Sequence, residues 1–279
     1  MAPPITLRVA HSPDSDDAFM FWALAEGRID TEGIRYEHVL KDIEALNQEA
    51  QKGTYEVTAL SFHAYAFLAD RYALLPHGAS FGDGYGPVLV ARRGFREADL
   101  ARAEVAIPGE RTTAALALRL WREGLRTRVM SFDAIQPAVA VGEVEAGLLI
   151  HEGQLTYADE GLAKIVDLGE WWKAATGLPL PLGGNGIRKD LGPGLTARVS
   201  RHLRASIAHG LEHRAEGLAH AERFSRGLSR ERTDRFVGMY VNGWTLDYGE
   251  AGRRAVALLL ERGHAAGILP RRVEPEFVP

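Results

Sequence analysis

The chain has 279 residues, 46% of them hydrophobic and 25% charged, with a net charge of −4 and no cysteine. That is the composition of an ordinary globular protein, long enough for two domains of about 100–200 residues or one large one. It excludes disulfides, thiolate catalysis and Cys-ligated zinc or iron–sulfur centres. The interspersed charges give no basic footprint for nucleic acid. The N-terminus MAPPITLRVAHS lacks the basic-then-apolar pattern of a signal peptide, and no apolar run approaches the ~20 residues of a membrane span. A cytoplasmic protein is expected, with neither nucleic acid nor membrane as partner.

Residues 5–10 (ITLRVA) predict a first strand, which ends in His11-Ser12-Pro13-Asp14-Ser15-Asp16-Asp17. Residues 18–24 then predict a helix with a broad apolar face. Asp16 and Asp17 suit a helix start, where carboxylates meet free N–H groups and the dipole. The same loop lies at a strand's carboxyl end, where ligands sit in open α/β sheets. Adjacent carboxylates raise the question of a metal, but no histidine or acid at i+4 supports one. Residues 33–39 alternate as a second strand, Asp42 opens a helix to Gln51 that Gly53 stops, and residues 55–60 form a third strand. Ser61 stands at the junction to a helix over residues 62–70, as an N-cap, as a hydroxyl aimed at a pocket, or both. His63, just inside that helix, is structural. Residues 72–75 give a short strand. The stretch 78–87, GASFGDGYGP, reads as a flexible connection. It is no dinucleotide fingerprint, because a strand over residues 87–91 follows where a helix should.

Residues 104–107 restart the pattern as a strand, and residues 114–123 follow as a helix ended by Gly124. Thr112 and Thr113 before that helix are either plain N-caps or an anion site of hydroxyls and unpaired N–H groups, suited to a carboxylate or phosphate. A strand over residues 128–132, capping-box spacing in Asp133-Ala134-Ile135-Gln136, and a helix broken by Gly142 come next. Residues 146–150 (AGLLI) are apolar without alternation, as in a strand buried on both faces. That strand stops at His151, Glu152 and Gly153. A histidine there is a candidate general base, since imidazole titrates near neutral pH, or a strand cap bonded to a backbone carbonyl. Residues 103–150 are thus a β-α-β-α-β unit. A strand over residues 165–168, packing roles for Trp171 and Trp172, and a return linker at residues 178–184 follow. Four helices are expected at 195–214, 215–224, 232–242 and 249–266. Their Arg201, Arg204, His209, His213, Arg214 and His220 read as a solvated surface, without an HExxH zinc pattern. The tail from 269 is extended.

Together these elements predict two α/β lobes. Residues 1–92 with 180–279 form the larger and 93–179 the smaller, crossed by strands at 87–92 and 180–189. A ligand cleft between them would be lined by Asp16, Asp17, Ser61, Thr112, Thr113 and His151.

The blocks HSPDSDDAFMF (11–21), TALSFHAY (58–65), GPVLVAR (86–92), PGERTTA (108–114), GEVEAGLLIHEGQLTY (142–157), VDLGEWW (166–172) and GLPLPLGG (177–184) carry a resemblance. They occur in the same order as in the 1,4-dihydroxy-6-naphthoate synthases of the futalosine route to menaquinone, and the chain is similar to that family over nearly its whole length. The resemblance implies a type II periplasmic-binding-protein-like fold. It implies a lyase that converts cyclic dehypoxanthine futalosine, a substrate carrying a carboxylate, to 1,4-dihydroxy-6-naphthoate and dihydroxyacetone, with no metal or cofactor. His151 matches the family's proton acceptor. Ala59, Leu60 and Ser61 match one substrate-contacting stretch, and Thr113 with Ala114 the other. Ala59 stands where some members carry Lys, so a backbone contact is implied there. Glu110-Arg111 stands where some carry Arg-His, which leaves Arg111 as a candidate partner for an anionic group. Two other readings compete. One is a chorismate dehydratase-like enzyme on the same fold, against which the histidine closing GLLIHE argues. The other is a non-catalytic small-anion binding protein: a solute receptor would call for the signal peptide or lipobox cysteine that the sequence does not offer, and the effector lobe of a transcription regulator for a helix-turn-helix before Ile5.

Overall fold

The computed structural model describes residues 5–279. The strands in chain order are β1 (Ile5–His11), β2 (Ile34–Leu40), β3 (Val57–Ser61), β4 (Tyr72–Leu74), β5 (Ser80–Gly82), β6 (Val88–Arg92), β7 (Glu104–Ile107), β8 (Arg126–Val129), β9 (Ala146–Leu149), β10 (Leu162–Asp167) and β11 (Leu180–Arg188). The helices are α1 (Ser15–Ala25), α2 (Ile43–Lys52), α3 (Phe62–Leu68), α4 (Thr113–Trp121), α5 (Phe132–Val141), α6 (Gly153–Thr156), α7 (Leu168–Thr176), α8 (Pro193–Glu212), α9 (Arg214–Ala221), α10 (Arg230–Tyr240), α11 (Gly243–Leu246) and α12 (Gly249–Ala265). One sheet has the order β2-β1-β3-β11-β4, with β5 also on β11; the other has the order β10-β6-β9-β7-β8. Strands β1, β2 and β3 are parallel and β11 runs against β3; in the second sheet β7, β8 and β9 are parallel and β6 opposes β9. The chain passes between the sheets at residues 83–87, from β5 to β6, and at residues 177–179, from α7 to β11.

Local chemistry accounts for the boundaries. Asp42 accepts the Ala45 N–H at 2.9 Å to start α2, and Gly53 at φ 70° ends it in the left-handed conformation. β3 is buried throughout, as is β9, so both read as unbroken apolar runs. The α1 side chains Phe19 and Phe21 are buried in one cluster with Val199, Leu203 and Ile207 of α8. Truncating such a phenylalanine to alanine costs about 3–5 kcal/mol, so the C-terminal helices are part of the first sheet's support.

Several expectations are corrected. The glycine-rich stretch 78–87 is packed: it contains β5, which pairs with β11, and a Cβ on Gly169 would fall 1.8 Å from the Tyr85 carbonyl. The expected linker 178–184 is mostly the start of β11. The tryptophan pair lies in a helix, α7, whose N-cap Asp167 accepts from Gly169 and Glu170; Trp172 is fully buried, as its packing role requires. Strand β8 begins two residues earlier than expected and ends at Val129, because Ser131 is the N-cap position of α5 and Phe132 is already helical; Asp133 is a first-turn residue, not a cap. The C-terminal polar residues are only partly a solvated surface: Arg214 pairs with Asp234 at 2.6 Å and lies over the Phe19 ring. In the tail, Phe277 bridges to Leu74, and Leu74 accepts the Val278 N–H.

Candidate active site

The carboxyl ends of β1, β3, β7 and β9 open onto one cavity of about 750 Å³ including its mouth. Its walls come from both sheets and from α10. Asp14, Asp16 and Asp17 follow β1; Ala59, Leu60 and Ser61 close β3; Thr112, Thr113 and Ala114 open α4. Ile150, His151 and Gln154 follow β9, Leu182 to Gly184 come from β11, and Phe236 and Tyr240 from α10. In the β11 wall, Gly184 packs directly on the core: a Cβ there would sit 2.3 Å from the Tyr248 hydroxyl.

One end of the cavity is neutral and donor-rich. Buried Asn47 on α2 holds Ser61 twice, accepting its N–H at 2.9 Å and donating to Oγ at 3.1 Å. Ser61 caps nothing with its side chain, so of the two roles expected for it the N-cap hydrogen bond is not made. Thr113 Oγ1 accepts the His63 N–H at 3.2 Å. Each hydroxyl therefore has an acceptor lone pair engaged and keeps its own O–H free to donate. Thr112 is the true cap, accepting from Ala115 N at 3.2 Å and donating to the Gly109 carbonyl at 2.9 Å. The N–H groups of Thr113 and Ala114, in the first turn of α4, have no preceding helical carbonyl to bond. Two O–H donors and two N–H donors without a cation suit a carboxylate.

The other end is acidic and buried. His151 Nδ1 lies 3.1 Å from Asp14 Oδ2, and its Nε2 has no hydrogen-bond partner among the described residues. Asp14 is fully buried; Ser12 Oγ donates to its Oδ2, and Arg226 Nη2 lies 2.5 Å from its Oδ1. His151 has φ 55°, a left-handed conformation that costs roughly 1–3 kcal/mol in a non-glycine residue and that persists where surroundings enforce it. The same turn swings the imidazole off β9 toward Asp14. Burial, then the charge of Asp14, push the Asp16 carboxyl up to about 6 and the Glu152 carboxyl up to about 7; burial, then Asp16, raise Asp17 well above its ordinary value. Asp17 also accepts the Ser12 N–H at 2.7 Å, which fixes the loop.

The structure brings Asp17, Ala59, Leu60, Ser61, Thr112, Thr113, Ala114 and His151, all singled out in the sequence, around this one cavity. Two candidates fall outside it. His11 stacks on Phe21 and meets His38 at 3.1 Å, and burial lowers it to about 3. The Arg111 guanidinium lies over the Phe67 ring at 4.5 Å. His63, read as structural, sits buried with Nδ1 3.2 Å from the Thr112 carbonyl. Sequence reasoning missed Asp14, overshadowed by the adjacent helix-start aspartates. It missed Asn47, a buried polar residue in the middle of α2, and Tyr240, whose hydroxyl donates to Gln154 at 2.6 Å. No group of three or more His, Cys, Asp or Glu among the described residues is arranged to hold a metal ion, and no described helix is long and apolar enough to cross a membrane.

Comparison with known proteins now places the chain. It is 43% identical to a 1,4-dihydroxy-6-naphthoate synthase of Thermus thermophilus, over 98% of this chain and 99% of the relative. It is 36% identical to a protein of the same name from Streptomyces coelicolor, over 95% of each. A crystal structure of an Archaeoglobus fulgidus protein superposes with a TM-score of 0.91 at 49% identity, covering 94% of this chain and 98% of that one. The alkanesulfonate-binding protein SsuA of Xanthomonas axonopodis, bound to MOPS, gives a TM-score of 0.71 at 15% identity, over 99% and 98% of the two chains. The fold is therefore the periplasmic-binding-protein-like one. A family model described as menaquinone biosynthesis matches residues 7–265. The chain belongs to that menaquinone-biosynthesis family, whose members at 43% and 36% identity are 1,4-dihydroxy-6-naphthoate synthases.

Proposed function

We propose that this enzyme is a carbon–carbon lyase that converts cyclic dehypoxanthine futalosine to 1,4-dihydroxy-6-naphthoate and dihydroxyacetone, with His151 as the general base. The observation that carries the chemistry is His151 itself: an imidazole in the cavity wall, with one nitrogen beside a buried carboxylate and the other without a partner among the described residues. Fragmentation of the substrate skeleton begins with loss of a proton, and an unprotonated imidazole nitrogen is suited to take it. At the opposite end, Ser61 and Thr113 with the first N–H groups of α4 bind the substrate carboxylate, and Ala59 and Leu60 contribute through their backbone. Asp17 supports the wall between the two. The substrate thus lies across the cavity with its reacting carbon toward His151. No cofactor takes part in this reading. A cytoplasmic location, independence of nucleic acid, and the division into lobes of residues 1–92 with 180–279 and 93–179 belong to the same proposal.

The test is direct. Purified protein is mixed with the cyclic substrate, and the products are followed by chromatography and mass. Stoichiometric 1,4-dihydroxy-6-naphthoate and dihydroxyacetone are expected. Recovery of unchanged substrate from a folded preparation refutes the reading, as does product formation that survives intact in His151→Asn.

A further inference from the structure

The base and the group beside it come from different sheets. His151 follows β9 of the second sheet, and Asp14 lies in the loop after β1 of the first. Asp14 is held from three sides. Ser12 donates to the oxygen that faces the imidazole, Arg226 Nη2 stands 2.5 Å from the other oxygen, and His151 Nδ1 is 3.1 Å away. Arg226 reaches in from the loop between α9 and α10. Its guanidinium lies 4.3 Å over the Phe132 ring, and that ring meets His151 edge-on at 4.9 Å. Both His151 and Arg226 adopt positive φ, 55° and 53°, so two non-glycine backbones are held in the left-handed region around one carboxylate.

We propose that Asp14, clamped by Arg226, is the positioning residue of His151: from across the cleft it fixes the imidazole ring and keeps its proton on Nδ1. An ionised carboxylate only accepts, so the ring nitrogen beside it carries the hydrogen, and in a neutral imidazole the lone pair is then on Nε2. Arg226 supplies the countercharge that a fully buried carboxylate requires. Its packing on Phe132 closes the third side of the imidazole, so the ring cannot turn away without displacing the clamp. Asp14 touches neither substrate nor the reacting atoms in this assignment; it acts through His151.

This inference rests on His151 being the base, and the first measurement needs no substrate, so a wrong substrate assignment and a wrong role for Asp14 are told apart. The full chain is labelled with 15N-histidine, and the His151 ring signals are identified by their loss in His151→Asn. The wild type is expected to show the neutral Nδ1–H tautomer; an Nε2–H tautomer overturns the proposal whatever the variants do. Asp14→Asn keeps the shape but offers an amide that also donates. The His151 tautomer should become mixed, and kcat should fall about 10²–10⁴-fold, the range seen when an orienting carboxylate behind a catalytic histidine is replaced by its amide, with KM within about threefold. A structural staple would instead lower Tm and leave tautomer and kcat alone, which overturns the assignment. If Asp14→Asn does not fold, the wild-type spectrum and Arg226→Met decide it. Arg226→Met should weaken the Nδ1–H preference and lower kcat roughly tenfold, with Arg226→Lys recovering most of both. Unchanged tautomer and rate in Arg226→Met overturn the clamp.

Discussion

The two ends of the cavity are built on opposite principles. At the Ser61–Thr113 end every donor is neutral, and its hydrogen-bond partners Asn47, His63 and Gly109 are buried. At the His151 end, three acidic groups, Asp14, Asp16 and Glu152, crowd one imidazole, two backbones sit in the left-handed region, and the contacts join segments that are far apart in sequence. In the proposed reaction the first arrangement would hold the carboxylate equally well before and during reaction, and the second would act on the proton. Binding and chemistry would then be separable by mutation.

The largest effect expected is at the acidic end. His151→Asn should lower kcat by about 10²–10⁴-fold, the usual contribution of a positioned base, with KM little changed. Single-turnover chemistry and equilibrium binding of product, measured on the same variant, check both halves. Near-normal kcat in a folded His151→Asn enzyme would move the base elsewhere.

The neutral end should give the complementary pattern. Ser61→Ala and Thr113→Val each remove a donor to a charged group, worth about 1–3 kcal/mol, or roughly a tenfold to hundredfold rise in KM. Because the interaction is the same in ground and transition states, kcat should change by less than about threefold. Steady-state kinetics on both variants decide this. A dead enzyme with normal KM would put that residue in the chemistry and erase the contrast between the ends.

How far the sequence foretold this contrast follows the same physics. His151 was legible because an apolar run that stops on a histidine marks a strand end. Thr112 and Thr113 were legible because paired hydroxyls before an apolar helix mark an N-terminus. Asp14 was not, since its partners Arg226 and His151 lie 212 and 137 residues away in sequence, and nothing local distinguishes it from Asp16 and Asp17. The β-α units were legible from periodicity. Strand β5, of three residues among glycines, was not, because its register comes from β11, about a hundred residues later. Helix α7 was readable in retrospect: Asp167 and Glu170 have N-terminal spacing and Gly177 ends it at φ 72°. The two tryptophans drew attention to packing alone.

The stability cost of the acidic end has a pH signature. Glu152 is raised from 4.5 unfolded to about 7 folded, by burial first and by Asp14 second. Between those values the folded state holds a proton that the unfolded chain releases, so this group's contribution to stability falls as pH rises from 4.5 through 7. Glu152→Gln removes that term. The variant should be more stable than wild type by roughly 1–3 kcal/mol at pH 8, a gain of a few degrees in Tm, and nearly equal to it near pH 4.5. Thermal melts at both pH values check it. A difference that does not change with pH would show that the charge of Glu152 is not what strains this end.

The smallest effect concerns how the two ends come together. The segment after β9 touches the first sheet's side at three places: His151 to Asp14 at 3.1 Å, Gln154 to Tyr240 at 2.6 Å, and Asp159 to Arg232 at 2.5 Å. The covalent connections are only two, at residues 83–87 and 177–179. Two connections at the back and non-covalent contacts at the mouth would suit a hinge, of which this conformation would be the closed state. Opening would separate His151 from Asp14 and also Ser61 on β3 from Thr113 on α4, so closing on substrate would complete both ends together. Closure would also exclude water from the proton-transfer step. Solution scattering should then give a radius of gyration near 19 Å, smaller with product bound than without it by a few per cent. Arg232→Met, which removes one mouth contact of the exposed kind worth about 0–1 kcal/mol, should enlarge the ligand-free radius slightly and leave the bound one unchanged. Equal radii with and without product, in wild type and variant alike, would mean that both ends of the cavity are preformed together and that the cleft does not work as a hinge.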